Sequence, residues 1–259
     1  MASSRDHTAE RGPSVLSDQQ RARIFGVLYL VTFVTAIAAL ALFQPVLDDP
    51  AGYIASAGQD NRILFAALLE LLLIIANIGT AVVIFPVVRR QSEELALGYV
   101  TARLLECTFI LVGIVAVLGI VTLQQEVAGA AEGSIAYTLA AIKDWTFWLG
   151  PGWVVGWGNG LILGYLMYSS GLVPRKMAIL GLVGGPLIIL SGTAVMFGVV
   201  DAGGTVQSLA TIPEFLWELS LGIYCTVKGF RPSSPILLAD ARPDGVQPMA
   251  APAPAYRRA

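Results

Sequence analysis

Histidine is almost missing from this chain of 259 residues: the one present, His7, stands in a polar leader ahead of the first apolar run. With none in an apolar segment, bis-histidine haem, HExxH zinc chemistry and a membrane-buried Ser-His or Cys-His nucleophile are excluded as expectations. Cysteine is nearly as scarce. Cys107 and Cys225 both fall in apolar stretches and form no CxxC pair, so neither a disulfide framework nor a thiol relay is expected. Charge is short as well: 13% of the residues are charged, against roughly 25% in an ordinary soluble domain. What fills the space is apolar, with 56% hydrophobic residues and a mean hydropathy of +0.71. That balance describes an integral membrane protein. The expected partner is the lipid bilayer, not a nucleic acid, and no cofactor is expected.

Six runs are long enough to cross a hydrocarbon core of about 30 Å, for which a helix needs about 20 residues. They lie near residues 23–43, 63–88, 96–123, 145–168, 177–200 and 212–227. The fold class expected is therefore all-α, a polytopic bundle of six transmembrane helices. The domain plan is a disordered cytoplasmic leader over 1–20, a membrane domain over 21–230 and a Pro/Ala-rich tail over 231–259 without fixed shape. The loop from Gln124 to Asp144 is expected to hold a surface helix near 135–142. Basic residues orient the bundle. Thirteen of the sixteen Lys and Arg flank the ends that lie on the side of the termini, Arg62 and Lys143 fall in the opposite loops, and Arg103 is intramembrane. Lys and Arg concentrate on the cytoplasmic side, so both termini are expected there, in a bacterial cytoplasmic membrane.

Gly152, Gly156, Gly160 and Gly164 recur every fourth residue along the fourth span. Such a ridge lets a neighbouring backbone approach closely, and it suits either packing within the bundle or a homo-oligomer seam. Gly150, Pro151 and Gly152 also give this helix a place to bend, as broken helices do in transport sites. The aromatic residues Trp153, Trp157 and Tyr165 are expected at interfaces or against lipid.

Four ionisable residues stand inside the spans: Glu70, Arg103, Glu106 and Glu218. Each costs about 2.5 to 3.5 kcal/mol at a helix centre, so each must find company. Arg103 and Glu106, three residues apart, share one helical face and pair; Arg103 is expected to reach Glu70 as well. Counting a rise of ~1.5 Å per residue puts Glu106 near the midplane, with Glu70 and Glu218 about 10 Å below the opposite surface. Those depths allow the three carboxylates to meet in one cavity. Asn77 shares the stripe of Glu70, Asn159 is expected to hydrogen-bond between helices, and Glu214 is expected at the interface. The third span's 103–106 and the sixth's 214–218 hold corresponding places in two halves of three spans, the arrangement of an inverted repeat.

Known intramembrane enzymes fit poorly. A rhomboid-like protease needs the absent histidine, an aspartyl protease needs membrane aspartates where Asp144 and Asp201 sit at span ends, and the Glu93-Glu94 pair is followed by Gly98 where a prenyl endopeptidase has arginine. No catalytic constellation is read. The opening 23–30, the box 103–106, the run from Gly164 through 170–175 and the close from Pro213-Glu214 to Lys228-Gly229 together resemble the bacterial membrane family called domain of unknown function 4386. The resemblance implies a six-helix inner-membrane protein and brings no catalytic or binding role with it. The function expected from the charges is a small ion- or proton-coupled transporter using Glu106, with Glu70, Glu218 and Arg103 as partners. The alternative is a non-catalytic scaffold or regulatory protein in which the charge cluster is purely structural.

Overall fold

The computed structural model describes residues 16–56, 61–126 and 130–240. Most of the expected leader, His7 included, and the tail beyond 240 lie outside the described residues. Every regular element among the described residues is helical. Helix α1 (Asp18–Asp48) starts from a capping box, in which Ser17 Oγ accepts from the Gln20 amide at 3.2 Å and Gln20 Oε1 accepts from the Ser17 amide at 2.8 Å. Two of the first turn's orphan donors are thereby satisfied, and the helix begins inside the stretch expected to be disordered. Asp49 caps the short α2 (Pro50–Ala55) by accepting from Gly52 N at 2.9 Å. Helices α3 (Asn61–Val88) and α4 (Glu93–Glu126) follow.

The region expected as a loop with a surface helix is instead α5 (Ala130–Phe147), which runs without a break into the fourth expected span. There the winding loosens into two π-helical stretches, Trp148–Val154 and Gly156–Leu163, before α6 (Gly164–Ser170). Pro151 supplies a cause: it has no N–H to give, and its ring crowds the carbonyl four residues back, that of Phe147, so the turn widens. Gly171, at φ 66°, takes the left-handed conformation that ends the run. Helix α7 (Arg175–Met196), helix α8 (Thr205–Val227) and the short α9 (Pro235–Asp240) complete the order.

Helices α1, α3, α4 and α7 are long and apolar enough to cross a membrane. The two other expected spans are helical but do not join those four: one is broken into π-helical and α-helical pieces, and α8 carries Gln207, Glu214 and Glu218 along its length. The long elements close into a ring. Helix α8 packs on α1, α1 on α3, α3 on α4, α4 on α5 and the π-helical stretches, these on α7, and α7 on α8. Close approaches between glycines set two of the seams. A methyl group on Gly26 of α1 would strike the Thr226 amide of α8, and one on Gly160 would strike the backbone of Gly185 on α7. The glycine ridge thus meets α7 within the chain: Gly156 faces Ile188 and Gly185, and Gly164 faces Leu182 and Ala178.

Two apolar cores fill the ring. One lies at the end of the ring where α1 begins and α8 finishes, with Phe25, Tyr29, Tyr99, Met167, Trp217 and Phe230 fully buried. The other lies toward the far end around Phe43, Ile63, Leu73, Ile110 and Ile120. The outer surface is apolar too: Val34, Ile75, Val115 and Leu190 are each more than 60% exposed. A surface of that kind is at home against lipid chains.

The chain after Arg231, expected to have no fixed shape, is ordered over its first residues. Arg231 N donates to Leu172 O at 2.8 Å, Ser234 Oγ donates to Ser170 O at 2.8 Å, and Gln19 Nε2 donates to Phe230 O at 2.7 Å. This strap binds the ends of α1, α6 and α8 together. Beside it, Arg90 grips Asp18 through two bonds of 2.9 Å, joining the end of α3 to the start of α1.

Candidate functional site: a polar cavity inside the helical ring

Between the two cores lies a cavity of about 570 Å³ whose lining includes Glu70, Asn77, Arg103, Glu106, Lys143 and Glu218. All four ionisable residues singled out in the spans therefore face one space, supplied by α3, α4 and α8. The cavity runs from Gln44, Asp48, Asp144 and Gly203 at the far end down to Arg103, and two tyrosine rings stand against the guanidinium. The guanidinium carbon lies 5.2 Å from the Tyr29 ring centroid and 5.9 Å from that of Tyr99, both rings belonging to the core where α1 begins. A guanidinium there gains from the ring faces in addition to its ion pair.

Glu106 is held from two sides. Its Oε2 accepts from Arg103 Nη1 at 2.7 Å, and its Oε1 accepts from Asn77 Nδ2 at 3.0 Å. The remaining Arg103 donors, Nε and Nη2, both reach Thr80 Oγ1 at 3.3 Å. One helical turn on α4 supplies the pair and one face of α3 supplies its amide and hydroxyl. With side-chain exposures of only 3% and 7%, the pair is dry.

Glu70 does not meet Arg103. Its carboxylate takes the Lys143 ammonium at 2.5 and 2.7 Å, correcting the expected Arg103 contact and the placing of Lys143 in a loop. Lys143 is 6% exposed, and its nitrogen stands 4.8 Å from the Phe43 ring centroid. Gly113 on α4 makes the room: a methyl group there would come within 3.0 Å of Lys143 Cδ and 2.5 Å of Thr146 Oγ1. Lys143, Thr80, Tyr29 and Tyr99 are the residues sequence reasoning missed. Lys143 stands at the edge of an apolar run, where the sequence alone does not fix which way a long side chain turns.

Glu218 is different from the other two acids. It accepts from Asn159 Nδ2 in a very short hydrogen bond, and among the described residues no cation pairs with it. The π-helical stretch aims that amide; the same residue's carbonyl accepts from Trp217 Nε1 at 3.0 Å, fixing it against α8. One turn earlier on α8, Glu214 is 1% exposed rather than interfacial, and neither of its oxygens has a hydrogen-bond partner among the described residues. It lies in a glycine cradle, where a methyl group on Gly160 or Gly184 would stand 2.8 or 2.7 Å from its Oε2. Among the described residues, no group of three or more His, Cys, Asp or Glu gathers to hold a metal. The tryptophans and tyrosine expected at interfaces divide: Trp157 and Tyr165 are exposed, while Trp153 Nε1 donates to Thr193 Oγ1 on α7 at 3.1 Å.

A ring of helices with an apolar exterior, enclosing ion pairs and lone carboxylates, defines a helical membrane protein. Comparison of the chain with known families places it further: it belongs to the family described as domain of unknown function (DUF4386), whose pattern matches residues 24–229. No curated protein and no solved structure matches it.

Proposed function

We propose that the chain spans the bacterial cytoplasmic membrane six times, with both ends in the cytoplasm, and carries protons or small cations through the cavity with Glu218 as the carrier group. The observation behind this is the charge bookkeeping inside the ring. Arg103 is paired with Glu106 and Lys143 with Glu70, which leaves Glu218 facing the cavity with no ion-pair partner of its own among the described residues. An unmatched carboxylate at this depth holds a bound proton or cation, since its bare charge costs several kcal/mol. The carrier role thus passes from Glu106, which Arg103 and Asn77 hold fast, to Glu218. The six-span topology is supported by the ring, in which the fourth and sixth members are as integral as the four apolar ones. With Lys143 drawn into the cavity, Arg62 is the one basic residue left to the far side, which supports the cytoplasmic placing of the termini.

The experiment is proton movement in liposomes holding the purified full-length protein and a pH-sensitive dye, after an imposed pH gradient. The parent is expected to dissipate the gradient faster than empty vesicles do. Glu218→Gln is expected to return the rate to that of empty vesicles while Tm stays within a few degrees. A parent no faster than empty vesicles, or a Glu218→Gln protein as fast as the parent, overturns the proposal.

A further inference from the structure

Building on the carrier role given to Glu218, we propose that the cavity takes an apolar organic cation as its second occupant and that this cation exchanges with the proton on Glu218. Three observations lead there. The first is size: about 570 Å³ is the range of pockets that take small organic molecules, far more than a proton or a bare ion needs. The second is the wall. Phe33, Phe43, Phe147, Trp148 and Phe215 line it, so that most of an occupant would meet aromatic and aliphatic surface. Aromatic faces attract cations and repel anions. The third is polarity. Both basic groups of the cavity are already bonded to carboxylates, whereas Glu218 is unmatched and Asp48 and Asp144 stand near the mouth. An anion finds no free positive group; a cation finds a free negative one.

The cavity is also open to the surface. Phe33 of α1 and Phe215 of α8 touch edge to face, with ring centroids 5.3 Å apart. Toward the far end, the wall residues Ile37 and Leu40 are 57% and 44% exposed, and Phe215 itself is 43% exposed. An amphiphilic amine dissolved in the bilayer therefore has an apolar route in between α1 and α8.

The exchange balances as one charge for another. When the cation arrives, the Glu218 O–H bond breaks, the proton passes to water, and the carboxylate left behind faces the bound cation. The charged and titratable groups turned toward Glu218 are Arg103 and Glu106 on α4, Tyr29 on α1 and Glu214 on its own helix, with the Asn159 amide opposite. None of the others is free to supply the exchanged proton: Arg103 and Glu106 hold each other, Tyr29 lies under the guanidinium, and Glu214 is sealed in its glycine cradle.

Tetraphenylphosphonium is the probe, with tetraphenylborate as an anion of the same shape, in equilibrium dialysis against the purified full-length protein. The cation is expected to bind saturably and, in weak buffer, to release up to one proton per site; the borate is expected to show only unsaturable partition. Glu218→Gln should weaken the cation at least tenfold and abolish the proton release. Leu40→Trp, which fills the cavity without touching its charges, should weaken the cation comparably and guards against a Gln variant that fails to fold. Equal binding of both ions, or undiminished cation binding in both variants, overturns the inference. If parent liposomes move protons but the cation does not bind, the organic-cation assignment falls and the carrier role stands; if neither occurs, both fall.

Discussion

At the residue scale, the molecule separates acids that are locked from acids that are not. Glu106 shares a dry pair with Arg103, and removing one partner of such a pair costs about 3 to 5 kcal/mol because the other charge is left buried and alone. Glu106→Ala should therefore lower Tm sharply in detergent, whereas the double change Arg103→Met with Glu106→Leu should recover most of the loss, as differential scanning fluorimetry can check. A double variant as unstable as Glu106→Ala would show that the stability comes from something other than charge balance. The four buried charges were legible in the sequence because an ionisable residue within a long apolar run has few innocent readings. The Arg103–Glu106 pair was legible too, from its spacing on one helical face; the partner of Glu70 was not. Lys143 sits at the edge of its apolar run, where a long side chain can turn either outward to water or inward, and only Gly113 across the interface decides which. Glu214 was misplaced for a simpler reason. Helix α8 begins at Thr205 rather than near Ile212, so Glu214 lies ~14 Å along it at ~1.5 Å per residue instead of at its mouth.

At the scale of elements, the run from Trp148 to Ser170 holds the most that sequence reading could not supply. Glycines at every fourth position describe a smooth α-helical ridge, and the ridge does meet α7. The π-helical widening follows from Pro151, and its result is that Asn159 reaches Glu218 while Gly160 closes over Glu214. Gly160→Leu should push α7 away and cost about 1 to 3 kcal/mol or more through overpacking, since the nearest atoms in its way belong to the Gly185 backbone, which cannot turn aside. The same variant at Gly152, where a methyl group would meet only ordinary contacts with its own helix, should be far milder. Comparing the two Tm values checks this, and equal losses would contradict the packing described. Arg103 and Glu106 of α4 and Glu218 of α8, the charged boxes of the two expected halves, line one cavity.

At the scale of the whole molecule, composition alone gave the class and the helical content, because low charge and long apolar runs leave few other solutions. The ring order and the strap beyond Arg231 depend on contacts between segments far apart in sequence, and no local pattern carries them. Phe230, 1% exposed, anchors that strap in the core where α1 begins. Phe230→Ala should cost about 3 to 5 kcal/mol, read as a lowered Tm and faster proteolysis near the strap. A variant as stable as the parent would mean that the strap rests on the bundle without holding it.

The distance along the chain between partners has a consequence for how the protein is made. Glu70 meets its ammonium only 73 residues later, and Glu218 follows its partner Asn159 by 59 residues. During synthesis the early segments thus enter lipid with a naked acid, and neutrality arrives only as later segments emerge. A ribosome stalled between the third and fourth segments would leave behind a fragment that membrane quality control has good chemical reason to destroy.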